Sequence, residues 1–242
     1  MNLFWLLLLA HFIADFPLQS DKIFALKSKY KWGLLPHIFI SMATNIVVAF
    51  PYLEFPSFRL AIVFLLVVHF ALDWMKLILT RNLLSDSVFV FLIDQILHIF
   101  FIWLTCYHLF QIPEPQIHSS FIAAFYSNKK VILTLTGLVF SMFGGGVIIY
   151  YVKKCVYQFT RPSAGDTIHF PNANKRRIGY IERLFATSGM IFSGWFLVLV
   201  PVAFLPRIII HGKSSHQELI AVNIIASFLI SLATSVSVRL LW

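Results

Sequence analysis

The chain has 242 residues, of which 59% are hydrophobic and only 12% are charged, and its mean hydropathy is +0.83. These values lie outside the range of soluble globular domains and exclude that class. The net charge of +9 is carried between long apolar segments, so it indicates a membrane topology and not a nucleic-acid-binding surface.

Seven apolar segments are long enough, or nearly long enough, to cross a bilayer as a helix, which requires about 20 residues. In chain order they are residues 1–16, 34–53, 58–79, 88–112, 131–152, 186–210 and 218–241. The first is short, but no basic residue precedes its apolar run and no small-residue cleavage site follows it, so we interpret it as a retained helix and not as a signal peptide. The predicted fold is an all-α polytopic transmembrane bundle of about seven spans.

These segments divide the chain into a four-helix membrane domain, an external connection with the fifth span, a basic cytoplasmic segment and two C-terminal spans. The four regions are residues 1–112, 113–152, 153–185 and 186–242. With the N-terminus outside, 14 of the 19 basic residues fall on the cytoplasmic side, as the positive-inside rule requires. The C-terminus is then cytoplasmic, and the expected partners are membrane lipids and not nucleic acids.

Histidine and aspartate recur four residues apart in the first hundred residues. The pairs are His11/Asp15, His69/Asp73 and Asp94/His98, and the second span adds His37. Residues i and i+4 share one face of a helix, and an aspartate at the centre of a membrane helix costs about 2.5–3.5 kcal/mol. The recurrence therefore predicts a functional site. The similar stretches HFIAD and HFALD also predict two parallel helical-hairpin repeats within the first four spans, with chance similarity as the alternative because few residues match.

The topology places all seven side chains at a similar depth. The first and third spans run toward the cytoplasm and carry their pairs near their ends, whereas the second and fourth run outward and carry theirs near their beginnings. One cluster in the cytoplasmic half of the bundle is predicted. Imidazoles and carboxylates are ligands of divalent metal ions; zinc is the first choice, iron and manganese are the alternatives, and the ligands suffice for one or two ions.

Several further polar residues are candidates for binding a substrate near this cluster. They are Lys76, Gln19, Gln95, Arg177, Glu182 and Arg183. Lys76 shares a helix face with Asp73 and either binds an anionic group or anchors the helix at the interface. Glu182 and Arg183 are adjacent and point in different directions, so each is expected to meet a different helix. Arg177 either sets the topology or binds a lipid phosphate.

The motifs of this chain also form a recognisable set. They are HFIADFPLQSDKIFALK (11–27), His37, HFALDWMK (69–76), FLIDQILH (91–98) and RRIGYIERLF (176–185). Together they resemble a bacterial integral-membrane family that is catalogued as a domain of unknown function, with the motifs H-x3-D-F-x-L-Q, H-F-x2-D-x2-K, D-Q-x2-H and I-G-x2-E-R. The resemblance covers residues 1–112 and extends to about residue 185 through the last motif. It implies a location in the bacterial inner membrane and supports the importance of the three His/Asp pairs, but it brings no established activity.

The leading hypothesis is a metal-dependent membrane enzyme, with hydrolysis of a lipid or a small anionic substrate near the cytoplasmic leaflet as the expected reaction. A bound metal would polarise a carbonyl or phosphoryl oxygen or activate a water molecule. Asp15, Asp73 and Asp94 are the candidates for the catalytic general base. One alternative is a transporter of protons or metal ions, which intramembrane Asp/His chains also suit. The other is a non-catalytic scaffold in which the cluster is a structural polar network.

Overall fold

The computed structural model describes residues 2–82, 87–117, 120–160, 170–171, 173–211 and 217–242, and these residues contain helices and no strand. The α-helices are α1 (Leu3–Asp15), α2 (Asp21–Lys29), α3 (Leu34–Val48), α4 (Pro56–Asn82), α5 (Val88–Leu104), α6 (Ser120–Ser127), α7 (Lys129–Val139), α8 (Gly145–Thr160), α9 (Ala173–Phe192), α10 (Leu199–His211) and α11 (Gln217–Leu241). Short 3-10 turns lie at Lys31–Gly33, Phe50–Glu54 and Gly194–Val198, and π-helical turns lie at Thr105–Leu109 and Phe140–Gly144. The predicted all-α class is confirmed.

Four helical stretches in the described part of the chain are long and apolar enough to cross a membrane. They are Pro56–Thr80, Val88–Leu109, Lys129–Thr160 and Leu219–Leu241. Three further apolar helical stretches are shorter, namely Leu3–Asp15, Leu34–Val48 and Gly194–Ile209. The predicted membrane character is therefore supported, whereas seven full-length spans are not confirmed.

The predicted sixth span, residues 186–210, is not one continuous helix. Helix α9 ends at Phe192, and Ser193 and Gly194 follow with φ angles of 54° and 58°. Such positive φ values cannot continue a right-handed helix. The chain therefore forms a 3-10 turn before α10 begins at Leu199.

The predicted cytoplasmic segment, residues 153–185, is described only in part. Its turn-rich portion falls largely on residues 161–169 and 172, which lie outside the described residues. Its second portion is helical from Ala173, in agreement with the helical spacing of its apolar residues. This helix continues without a break to Phe192.

The chain forms two compact units, Met1–Ile132 and Leu133–Trp242. In the first unit α1 packs against α3 and α5, and α4 packs against the same two helices, so the four helices enclose a common interior. Ten of the 13 residues of α1 are buried. A helix that is apolar on all sides is suited to such an interior position, because it has no face that needs water.

The first unit has an apolar exterior and a polar interior. On α4, Leu60, Val63 and Val67 are 59–64% exposed, whereas His69 and Asp73 on the same helix are buried. This distribution is the reverse of that in a soluble protein and suits a lipid environment, where polar side chains face the bundle interior. The interior of this unit is thus the place where polar chemistry concentrates.

In the second unit α9 is the central helix. It packs against α10 and α11, and α11 also packs against α8. A small apolar core of Ala186, Ala203 and Phe204 joins α9 to α10. The small side chain of Ala186 allows the two helices to approach closely.

Candidate metal centre

The seven side chains of the predicted cluster lie together inside the first unit. Helix α1 contributes His11 and Asp15, α3 contributes His37, α4 contributes His69 and Asp73, and α5 contributes Asp94 and His98. Their side chains are between 0% and 8% exposed. The helical spacing of each pair places both members on the inner face of its helix, and the packing of the four helices brings the faces together.

Four of these side chains each bring one atom close to the two facing imidazole nitrogens. The atoms are Asp15 Oδ1, His37 Nε2, His69 Nε2 and Asp73 Oδ2. The two Nε2 atoms are 3.0 Å apart; Asp15 Oδ1 lies 3.4 and 3.5 Å from them, and Asp73 Oδ2 lies 3.4 and 3.7 Å from them. Tetrahedral zinc with bonds of about 2.0–2.2 Å has ligand atoms about 3.3–3.6 Å apart. Three of the five distances fall in that range, whereas the 3.0 Å distance between the two imidazoles is shorter and the 3.7 Å distance from His69 to Asp73 is longer. We call these four atoms the tetrahedral centre, after the coordination with which they are compared.

Hydrogen bonds alone leave the tetrahedral centre unsatisfied. Asp15 Oδ1 is buried and accepts no hydrogen bond within the described residues, although buried polar atoms nearly always have a partner. The Nε2 atoms of His37 and His69 face each other, so only one of them can carry a hydrogen on that line. A cation beside the two facing nitrogens would give Asp15 Oδ1 the partner that it lacks.

Two more imidazoles lie beside the tetrahedral centre. His98 Nδ1 is 2.8 Å from the main-chain oxygen of Asp94, which can only accept, so Nδ1 carries the hydrogen of this bond. The ring of His11 stacks on that of His98 with centroids 5.0 Å apart, and His11 Nδ1 lies 3.6 Å from Asp15 Oδ1. The Nε2 atoms of both rings are buried without a hydrogen-bond partner in the described structure. His11, Asp15 and His69 form a further possible ligand group, as do Asp73, Asp94 and His98.

Two lysines partly neutralise the three carboxylates. Lys27 Nζ donates to Asp73 Oδ2 at 2.5 Å, and Lys76 Nζ donates to Asp94 Oδ2 at 2.9 Å. Asp15 has no lysine or arginine within ion-pair distance in the described part of the chain. With neutral histidines the cluster carries one net negative charge, and a buried uncompensated charge is strongly unfavourable. A divalent cation beside Asp15 would supply the positive charge that this carboxylate lacks and would change the net charge of the cluster to +1.

The sequence predicts Lys27 only as a loop residue that follows Asp15 and supports the cluster by hydrogen bonding, whereas the structure places it in helix α2 and in the cluster itself. Helix α2 begins after Ser20, whose side chain accepts a hydrogen bond from the main-chain N–H of Ile23. The helix then returns toward α3 through Gly33, where a Cβ atom would lie only 2.0 Å from the main-chain oxygen of Leu26. This close approach requires glycine and leaves Lys27 buried against the cluster. In the sequence, the N-cap residue Ser20 is the local feature that predicts the start of this helix.

The predicted substrate-binding residues fall in different places. Gln95 lies in the cluster, with Nε2 3.2 Å from Asp94 Oδ2 and 3.4 Å from Asp15 Oδ2. Gln19 lies in the turn between α1 and α2 and is partly exposed. Arg177 is exposed on α9 in the second unit. A role of these residues in substrate binding stays a prediction.

Glu182 and Arg183 are buried within the second unit and contact different elements there, as their adjacent positions predict. Glu182 accepts two hydrogen bonds from Arg207 of α10, at 2.6 and 2.9 Å. Arg183 donates to the main-chain oxygens of Ser141 and Met142 in the π-helical turn, each at 2.7 Å. These contacts give both residues a structural role in their unit, and their predicted part in substrate binding stays a prediction.

A small cavity of about 20 Å³ adjoins the imidazoles of His11, His69 and His98. Its polar wall includes Ser41 and Asn45, which are both buried. The space is sufficient for one water molecule. Ser41 and Asn45 follow His37 at intervals of four residues, so the spacing rule that identified the His/Asp pairs also applies to them.

Comparison with known protein families gave one match. The model of a family described as "Protein of unknown function (DUF3307)" matches residues 3–129. The matched range contains all seven residues of the cluster and both lysines. Comparison with curated proteins and with solved structures gave no match.

Proposed function

This chain belongs to the DUF3307 family, whose function is unknown, and we propose that it is a metal-dependent integral-membrane hydrolase. The observation that carries the proposal is the spacing of the tetrahedral centre, whose four atoms lie 3.0–3.7 Å apart along the five measured edges. Nitrogen and carboxylate donors in a tetrahedron favour zinc, with iron or manganese as alternatives.

Three of the four atoms are the better permanent ligands. Asp15, His37 and His69 form a two-histidine, one-carboxylate set, which is a common set in hydrolytic zinc enzymes. Asp73 is already paired with Lys27, so its position is the one that a water molecule or a substrate oxygen would take over. Asp73 would then stand beside that oxygen and accept its proton as general base.

When bound, the metal would polarise a carbonyl or phosphoryl oxygen and lower the pKa of a coordinated water to about 7. The surrounding residues would hold the ligands in place. Gln95 donates to Asp15, and the His98 ring is fixed by its bond to the main chain of Asp94. Such outer contacts orient ligands and hold the correct tautomer.

The substrate would approach from the end of the unit that carries Lys76. Its side chain is 24% exposed, more than any other charged side chain of the cluster, whereas the cavity on the other side of the imidazoles has room for one water only. An ammonium at the entrance favours a lipid with an anionic headgroup or a small anionic molecule. The distribution of basic residues would place this entrance at the cytoplasmic leaflet of the bacterial inner membrane.

A metal analysis tests the centre directly. The full chain is purified in detergent, loaded with zinc, freed of excess metal and analysed by plasma mass spectrometry. We expect one tightly held zinc per chain in the wild type, loss of that zinc in His37→Ala and Asp15→Asn, and retention in the control His108→Gln, whose side chain is exposed. A wild type that does not retain zinc, iron or manganese contradicts the proposal.

Hydrolysis is tested separately with the zinc-loaded protein and vesicles of phosphatidylglycerol, with lipid products measured by mass spectrometry. The wild type should hydrolyse the lipid, and Asp73→Asn should retain zinc but lose activity. If the protein retains metal but hydrolyses neither this lipid nor a panel of small phosphate esters, the metal site is not hydrolytic and that part of the proposal is wrong.

A transporter of protons or metal ions is the second candidate function. It is favoured by Ser41, Thr44 and Asn45, which extend a buried polar surface along α3 from His37 away from the lysines. A conducting pathway needs polar groups on both sides of its central site. Zinc-dependent or proton-dependent flux into liposomes that is lost in Asn45→Leu would favour transport over hydrolysis.

A further inference from the structure

A second cavity, of about 200 Å³, lies at the end of the first unit opposite the metal centre. It is lined by Asn2, which caps the start of α1, whereas Asp15 is the last residue of that helix. Thirteen helical residues separate the two ends, a distance of about 20 Å. The cavity has room for a molecule of several non-hydrogen atoms but not for a drug-sized ligand.

The wall of this cavity carries a carboxylate without a cationic partner. The Tyr52 hydroxyl donates a hydrogen bond to Glu114 Oε2 at 2.6 Å. Burial and this hydrogen bond raise the pKa of the Tyr52 phenol, so it stays protonated and remains the donor. Within the described residues no lysine, arginine or histidine pairs with Glu114. The second oxygen of the carboxylate therefore remains as an acceptor.

The other donors of the cavity wall are already in use. The Tyr126 hydroxyl donates to the main-chain oxygen of Val48 at 3.0 Å, and Asn2 Nδ2 donates to the main-chain oxygen of Tyr126 at 2.6 Å. The Ser127 hydroxyl donates to the main-chain oxygen of Ala123 at 2.6 Å. Apart from the second N–H of the Asn2 amide, the wall therefore offers a ligand acceptors, namely one carboxylate oxygen, the Asn2 side-chain oxygen and hydroxyl lone pairs.

A wall of acceptors with one negative charge selects a positively charged donor. We propose that this cavity binds the primary ammonium group of a small amine, with Glu114 as its counter-ion. An ammonium has three donors and no acceptor, which matches the acceptors of the wall. A calcium ion is a poorer match because it takes six to eight oxygen ligands, usually from several carboxylates. The inference is independent of the metal centre.

The ammonium could belong to a free amine or to a lipid headgroup, and ethanolamine represents both. The full chain is purified in detergent and titrated with ethanolamine hydrochloride by calorimetry, with ethylene glycol as a neutral probe of the same shape. We expect saturable binding of ethanolamine and none of ethylene glycol. Loss of one charge-assisted contact in Glu114→Gln should weaken binding by about tenfold or more.

Glu114→Gln is a suitable variant because the glutamine oxygen still accepts the hydrogen bond from Tyr52. Since Glu114 is exposed, the substitution should also leave the fold unchanged. The control Glu54→Gln removes another exposed carboxylate, which does not line the cavity, and should bind ethanolamine like the wild type. Equal binding of the two probes, equal binding by wild type and Glu114→Gln, or binding of calcium without ethanolamine would overturn the proposal.

Two nanodisc preparations then distinguish the sources of the ammonium. If a lipid headgroup is the natural occupant, phosphatidylethanolamine in the nanodisc should compete with added ethanolamine, whereas phosphatidylglycerol should not. If a free amine is the occupant, ethanolamine should bind equally in both preparations. Failure of ethanolamine to bind in phosphatidylglycerol nanodiscs and in detergent contradicts both versions.

Discussion

Replacement of Lys27 by methionine removes a buried cation from the His/Asp cluster while it keeps a side chain of similar length. Lys27 Nζ and Asp73 Oδ2 are 2.5 Å apart, and the two side chains are 9% and 2% exposed. Removal of one partner of a buried ion pair costs about 3–5 kcal/mol, because the other charge stays buried without compensation. We expect Lys27→Met to lower the free energy of unfolding of the metal-free protein by that amount. Since a divalent cation would compensate Asp73, bound zinc should recover much of the loss.

The assay is unfolding in mixed micelles with increasing sodium dodecyl sulfate, followed by circular dichroism, with chelator or with zinc. Lys22→Met is the matched control, because Lys22 is exposed on the same helix and its loss should change stability by less than about 0.5 kcal/mol. The double variant Lys27→Met/Asp73→Asn should be more stable than Lys27→Met alone. If Lys27→Met is no less stable than Lys22→Met, the ion pair does not contribute as described. If zinc binds but leaves the loss unchanged, the cation does not lie beside Asp73.

Two further predictions concern the second unit and the topology. Arg183→Met should lower the free energy of unfolding by about 1–3 kcal/mol for each main-chain oxygen that loses its donor. The control Arg177→Met, at an exposed position, should have little effect. Equal stability of the two variants in the same unfolding assay would contradict the role of Arg183 in holding the π-helical turn. Cys155 is exposed and Cys106 is buried, and the proposed orientation places Cys155 on the cytoplasmic side. A membrane-impermeant maleimide should therefore label the protein in inverted vesicles and not in intact spheroplasts, and Cys155→Ser should remove the label. Labelling of Cys155 in intact spheroplasts would show that this residue lies outside, which contradicts the proposed orientation.

The candidate site was predictable to an unusual extent because its members obey a local rule. Helical periodicity decides which residues share a face, and the apolar segments set their depth, so His11, His69 and His98 could be grouped before their helices were packed. The same rule, extended by one and two further turns from His37, would have added Ser41 and Asn45. Lys27 could not be grouped in this way, because it lies on another helix that reaches the cluster only through a return of the chain at Gly33.

The break at Ser193 shows where apolar composition is insufficient. Residues 186–210 are mostly apolar, but positive φ angles at Ser193 and Gly194 end α9 and separate it from α10. Hydropathy measures the affinity of side chains for lipid and carries no information on backbone direction. Apolar composition therefore overestimates the continuity of this helix.

Local composition and helical spacing were sufficient to predict the all-α class and the seven polar side chains of the cluster. The packing of the helices was needed to show which four atoms lie closest together, that Lys27 pairs with Asp73, and that α1 lies inside the first unit. These features depend on the rotation and approach of helices distant in the chain, which are set by side-chain packing across the whole unit.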